Sequence, residues 1–282
     1  MIKSKNQKSK DIIYYVLVSI FAFFMIYPIL WMITSSLKPD VEIFNNAMSL
    51  IPSEVLWENY RIGWQGFGRQ TFATFYRNSF MIAGLVVLGT LMTSSLTAYG
   101  FARLNFKGKK ILFACLMGTV MLPGQMTLIP QYIMFHNVGW VNTILPLVVP
   151  SFLGGGPFFI FLLVQFIRGI PKELDEAAVI DGCSTFGVYW RIILPLIKPA
   201  LVTVGLFAFM WTWDDFLGPL VYLNDASLHT VTLGLRNFMD VTTAMNWGPL
   251  LAMSALSLVP QLLIFVFFQK YLVKGIATTG LK

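Results

Sequence analysis

The chain has 282 residues, of which 56% are hydrophobic and only 12% charged, and its mean hydropathy is +0.70. Soluble chains carry about twice that share of charge, so the composition argues against a soluble globular domain and for a membrane protein. The net charge of +7 does not point to nucleic acid, because the basic residues flank apolar segments and crowd one side of them.

A basic arm, residues 1–11, carries Lys3, Lys5, Lys8 and Lys10. The run from Ile12 to Leu37 is then free of Asp, Glu, Lys and Arg. It is too long for a cleaved leader and no small-residue cleavage site ends it, so residues 12–37 are expected to be a retained first transmembrane helix. Residues 38–77 follow as a loop mixing Pro52, Trp57, Tyr60 and Trp64 with four charges of each sign. That composition suits an ordered loop, packed on another protein or on its own spans. A second charge-free run, Asn78 to Ala102, opens a core of five helices over residues 78–272. Asn78 and Ser79 at its start could meet a hydroxyl-bearing solute or hydrogen-bond between helices.

The run from Ile111 to Ile167 is too long for one helix and divides near His136–Trp140 into a third and a fourth span. Pro123-Gly124 and Pro130 are expected to break the third, and Gly154 to Pro157 the fourth. Backbone groups freed at membrane depth need protein or water partners, so each break lines a cavity or is a packing kink.

Between the fourth and fifth spans, residues 169–198, lies a charged insert. Pro171 suits a first helical position, and Glu173, Asp175 and Glu176 suit the positive end of the helix dipole. Leu174, Ala177, Ala178 and Asp181 recur at helical spacing, which predicts a smooth face bearing both alanines. Gly182 offers a left-handed stop, Ser184 or Thr185 can cap a second short helix, and Pro195 limits it. The product is a helix-turn-helix knob that a partner's groove could accept; the plainer reading is a surface loop joining two helices.

The fifth run covers Pro199 to Trp213. Only 15 residues separate Lys198 from Asp214, about 22 Å of helix against a hydrocarbon core of about 30 Å. The apolar pattern resumes at Phe216, so Asp214 and Asp215 belong within or near membrane depth. There they would face a wet cavity with Trp211 and Trp213 as sugar platforms, or mark the outer headgroup boundary with the tryptophans in an interfacial belt. The sixth run is Val241 to Gln269, and residues 273–282 form a tail. Cys115 lies in a span and Cys183 in the knob, too far apart to bridge.

Orientation follows from the basic residues. Fifteen of the 20 lie on the side of the N-terminal arm, the second and fourth connections and the tail. The positive-inside rule places both termini and the knob in the cytoplasm.

Several motifs share one resemblance. Glu176-Ala177-Ala178, Gly182 and Ile192-x-Leu194-Pro195 stand at the spacing of the EAA signature of ABC importer permeases. Ala102-Arg103-Leu104-Asn105-Phe106-Lys107-Gly108-Lys109, Ile129-Pro130-Gln131-Tyr132, Trp213-Asp214-Asp215-Phe216-Leu217 and the ending Gln269 to Gly275 look like carbohydrate permeases of the maltose type, and the ending resembles MalG-like subunits. The chain departs from that pattern at Asp214, where Asn is more usual. The resemblance implies an all-α membrane protein with six transmembrane helices in the type I ABC importer permease (MetI-like) fold. It implies a bacterial plasma-membrane location, a second MalF-like permease, an ATPase dimer inside, an extracytoplasmic sugar-binding protein and a carbohydrate cargo. Glu176, Ala177, Ala178, Asp181, Gly182, Leu194 and Pro195 would couple to the ATPase, with Glu176 paired to a basic group, and the tail from Lys274 to Lys282 would add a second contact. Asn78, Ser79, Trp211, Trp213, Asp214 and Asp215 are the candidate substrate pathway. No catalytic or metal site and no cofactor is expected in this chain: ATP and Mg would sit on the ATPase, since no nucleotide-binding P-loop is present. Rival readings are an ABC permease for a non-sugar solute, an ion-coupled carrier, which would have no use for the knob, and an intramembrane enzyme, which two His (His136 and His229) support poorly.

Overall fold

A computed structural model describes residues 5–66, 68–239 and 246–277, and side chains only between residues 11 and 270. The expected start of the sixth span at Val241, the residues around Lys3 and the proposed tail contact from Lys274 to Lys282 therefore lie outside what is described. Helices follow one another as α1 (Lys5–Ser35), α2 (Asp40–Asn45), α3 (Glu58–Gln65), α4 (Phe72–Arg103), α5 (Lys109–Val120), α6 (Gly124–Asn137), α7 (Leu145–Leu153) and α8 (Pro157–Arg168). Then come α9 (Glu173–Ile180), α10 (Thr185–Leu196), α11 (Lys198–Asp214), α12 (Leu217–Tyr222), α13 (Val231–Arg236) and α14 (Trp247–Ala277). Among the described residues, four stretches are long and apolar enough to cross a membrane unbroken: Asp11–Ser35, Phe72–Arg103, Leu145–Arg168 and Trp247–Lys270. Two bent pairs, α5 with α6 at 101° and α10 with α11 at 76°, raise the number to six if each is one span.

The chain forms two units. The first comprises residues 1–72 and 235–259. Within it α1 is exposed all round from Ile12 to Met25, as a uniformly apolar helix is when its surroundings are lipid or another chain. The loop beyond α1 is ordered by polar contacts. The Asn59 amide donates to the carbonyls of Ser36 at 2.9 Å and Lys38 at 3.0 Å. Lys38 is fully buried, its amine held by the carbonyls of Asn46 and Ser49. Asp40 accepts from the first backbone amides of α14, Gly248 at 2.8 Å and Trp247 at 3.3 Å, and so caps that helix.

The second unit holds residues 73–234 and 260–282, and its core lies where α4 and α8 meet the α9–α11 segment. The later half of the buried face of α4 is rich in small groups, Thr90, Ser94, Ser95 and Ala98, which let neighbouring backbones come close. The break between α7 and α8 sits at Gly154–Gly156, with Gly155 at φ +62°. The Thr93 hydroxyl donates to the carbonyl of Ser151 at 2.8 Å just before it, which is how a carbonyl near the break stays satisfied away from water.

Two expectations are corrected. Pro130 does not break the third span: it lies inside α6, and the bend comes at Met121–Pro123. Pro195 does not end the second helix of the knob either. The run through Tyr189–Ile193 adopts π-helical geometry, with the Leu194 amide bonded back to the carbonyl of Tyr189. A π-turn shifts the register by one residue, and the helix continues to Leu196 before turning into α11.

Candidate functional site

The knob forms at the position expected for it. Three acids, Glu173, Asp175 and Glu176, occupy the first turn of α9, where the helix dipole favours them. Gly182 ends the turn at φ +83°, and nothing lies within 4 Å of where a Cβ would stand there. Backbone conformation alone therefore calls for glycine at this position. Ser184 caps α10 by accepting from the Gly187 amide at 3.2 Å.

The two alanines do not share a face. Consecutive residues of a helix point about 100° apart. Ala178 is buried in the unit's core, whereas Ala177 is exposed beside Glu176 and Asp181. Leu194 is half-buried and Pro195 exposed. The knob also presents bulky apolar groups outward: Ile180 is 85% exposed, and Val179 and Phe186 are 60% exposed each. Carboxylates beside a bare apolar tip suit a protein groove with basic rims.

The inner side of the knob is fixed to the end of α4. Arg103 meets Asp175 with Nε 2.7 Å from Oδ2, an ion contact in which the N–H is not aligned on the carboxylate. Its Nη2 donates to the carbonyl of Ile170 at 2.7 Å. Tyr99 donates to the carbonyl of Thr185 at 3.0 Å, and the hydroxyls of Ser95 and Tyr189 lie 2.8 Å apart. Val188, Tyr189 and Ile193 complete the joint by entering the same buried cluster as Ala98 and Tyr99. Burial of the Val188 and Ile193 side chains contributes roughly 1.5–3 kcal/mol each. Sequence reasoning missed Arg103, Tyr99 and Ser95. Their signal was weak: Arg103 stood out only as part of the Ala102–Lys109 motif, and Tyr99 and Ser95 are polar residues inside an apolar run with no local sign of a partner.

The candidate pathway residues fall into two groups. Trp211, Asp214 and Asp215 line one cavity of about 570 Å³, together with Ile82, Leu147 and Thr230. The two acids differ within it. The Asp215 carboxylate accepts from the Gly218 amide at 3.1 Å and so holds the start of α12, whereas Asp214 is exposed. Asn78, Ser79 and Trp213 are elsewhere. The Asn78 amide donates to the carbonyls of Ser227 and His229 at 2.8 and 3.0 Å, and Ser79 accepts from the Val231 amide at 2.8 Å. Trp213 is buried, 4.8 Å from the Phe80 ring and 5.4 Å from that of Phe209.

Residues 86–278 match the family described as binding-protein-dependent transport system inner membrane component. The chain belongs to that family. Relatives cover nearly its whole length. The probable ABC transporter permease protein YurM of Bacillus subtilis is 37% identical, over 91% of this chain and 83% of its own. The trehalose/maltose transport system permease protein MalG of Thermococcus litoralis is 33% identical, over 93% of both chains. The arabinooligosaccharides transport system permease protein AraQ of Halalkalibacterium halodurans is 31% identical, over 93% and 92%. Among solved structures, a chain of a bacterial ABC transporter involved in the import of the acidic polysaccharide alginate superposes with a TM-score of 0.83, over 96% of this chain and 99% of that one, at 20% identity. At that identity the likeness establishes the fold, which is that of an ABC importer permease. This inner membrane component is thus a multi-pass membrane protein, a transport subunit and not an enzyme.

Proposed function

We propose that the chain is one of two permease subunits of an ATP-driven oligosaccharide importer, forming half of the pathway and taking its drive through the knob. The relatives named for trehalose/maltose and arabinooligosaccharide transport support the cargo class. A solved alginate ABC transporter in complex with a pentasaccharide-bound periplasmic protein supports delivery by an extracytoplasmic binding protein. The distribution of basic residues supports a cytoplasmic knob and cytoplasmic termini. The remaining partners are a second, MalF-like permease and a pair of ATPase subunits that carry ATP and Mg.

The observation that carries the reading is the attachment of both arms of an exposed knob to α4. Arg103 holds the first arm at Asp175 and Ile170, and Tyr99 and Ser95 hold the second at Thr185 and Tyr189. A push on the exposed tip therefore moves α4 as a body instead of bending a loop. Glu176, exposed on the first turn of α9, is the carboxylate offered to a basic group of the ATPase. The π-turn and the 76° bend at Ile197 redirect the same movement into α11, at whose far end Trp211 and Asp214 line their cavity. The pathway is thus proposed to alternate its access as the knob moves, with Asp214 and Trp211 as its cargo-facing groups.

Purification of the intact complex tests this, with wild type and Glu176→Ala compared. The wild type is expected to bring down a second permease and an ATPase, and the variant to retain the permease with several-fold less ATPase. A chain that purifies alone and transports in vesicles without ATP would replace the reading with an ion-coupled carrier.

A further inference from the structure

A groove of about 560 Å³ runs along the second unit between α4, α11 and α14. That volume is within the range of ligand sites. Its lining is apolar throughout except at one end, where Lys198 stands at the start of α11 with its side chain exposed. Two mid-helix glycines hollow it. A Cβ at Gly84 would meet nothing within 4 Å, and one at Gly205 would make ordinary contacts of 3.7 Å with Val87 and Leu91. Neither glycine has the positive φ that would explain it by backbone need.

The length of the groove narrows its occupant. From Lys198 to Phe209 the wall rises eleven residues along α11, about 16 Å of helix. That is about half of the ~30 Å hydrocarbon core, the depth of one leaflet. Ile264 and Phe268, from the later turns of the long α14, line it as well. A neighbouring protein helix would lie against a face running the whole span, whereas a single acyl chain ends at the midplane. The lone cation sits where a headgroup would be, at a helix start whose first backbone amides also favour anions.

We infer that this groove holds one acyl chain of an anionic phospholipid, with its phosphate at Lys198. The orientation proposed above makes the lipid one of the cytoplasmic leaflet, but the site itself does not depend on that orientation. Bound there, the lipid would wedge α11 against α4 and α14 and so tie the moving helices to the membrane around them.

Lipid retained by the intact complex, extracted and washed in mild detergent, tests this by mass spectrometry with phosphatidylglycerol and phosphatidylethanolamine as probes. Wild type is expected to retain phosphatidylglycerol in preference. Lys198→Gln should reduce that preference about fivefold, the weight of one basic group at an anionic surface. Gly205→Leu should exclude both lipids, and Gly84→Leu, on the opposite wall, is the second obstruction should the first not assemble. Equal retention of the two lipids by wild type and Lys198→Gln would overturn the inference. So would a crosslink from a photoreactive label on Val202→Cys to another protein chain, since the occupant would then be a protein helix. ATPase recovery through Glu176 is read separately, so either proposal can fail without the other.

Discussion

Arg103 and Asp175 show how a single side-chain pair can set the orientation of a whole surface. Their side chains are 6% and 18% exposed, and the Arg103 guanidinium also holds the Ile170 carbonyl. Removing one partner of such a pair leaves the other charge buried without compensation. Asp175→Leu alone should therefore cost about 3 kcal/mol, while Asp175→Leu with Arg103→Met should recover most of it. Thermal unfolding of the purified complex reads both, and equal losses in single and double variants would contradict the pairing. In the loop after α1, hydrogen bonds from the Ser53 hydroxyl and amide hold the Glu42 carboxyl below its ordinary range. A carboxyl depressed on folding stabilises the fold above its unfolded pKa, about 4.3, and that contribution is lost as pH falls through the lower folded value. Protection of the amides across residues 49–53, measured against their intrinsic exchange rate at each pH, should fall as pH drops below about 4, and Ser53→Ala should remove the acid-dependent part. At this scale the sequence was only partly legible. Three acids at the start of α9 and glycine at 182 followed from local rules about dipoles and left-handed turns. Lys38 as a buried cation depends on how the following loop folds back over it, and Asn78 as a backbone clamp and Trp213 as a core ring depend on contacts distant in sequence, which no local pattern encodes.

Elements were legible where composition alone decides them. Among the described residues, the charge-free runs coincide with the four unbroken candidate spans and the two bent pairs, because a helix in hydrocarbon excludes charge over about 20 residues. Their ends were less legible. Helix α4 begins at Phe72 and so takes in Arg77, which composition had assigned to the preceding loop. Bends were legible in part: Pro123-Gly124 and Gly154–Pro157 mark breaks that the structure has. Prolines mark where a helix can break, but Pro130 sits inside α6 while the turn falls at Pro123, and a π-turn absorbs Pro195. The α7–α8 break offers a paired test. Gly155 is at φ +62° and an added Cβ would strike Ser94, whereas Gly154 has φ −177° and open space around it. Gly155→Ala is expected to destabilise the complex by about 1–3 kcal/mol, with Gly154→Ala nearly neutral. Matching melting temperatures for the two variants would show that the turn is not held as described.

For the molecule as a whole, fold and family were legible because the EAA-type spacing, the six apolar runs and the basic-residue bias are independent signals that agree. Missing from the sequence was the joint that makes the knob useful: the exposed tip is continuous, through Ala178, Val188 and Tyr189, with the core around α4. That continuity is the central claim, and Gly182 tests it directly, since its φ of +83° is needed for the turn while nothing packs on it. ATP hydrolysis and sugar uptake should be measured together on the reconstituted complex, for wild type and Gly182→Asp. The variant should be inserted and assembled, should still hydrolyse ATP and should no longer take up sugar in proportion. Uptake by Gly182→Asp at the wild-type rate per ATP would contradict the claim.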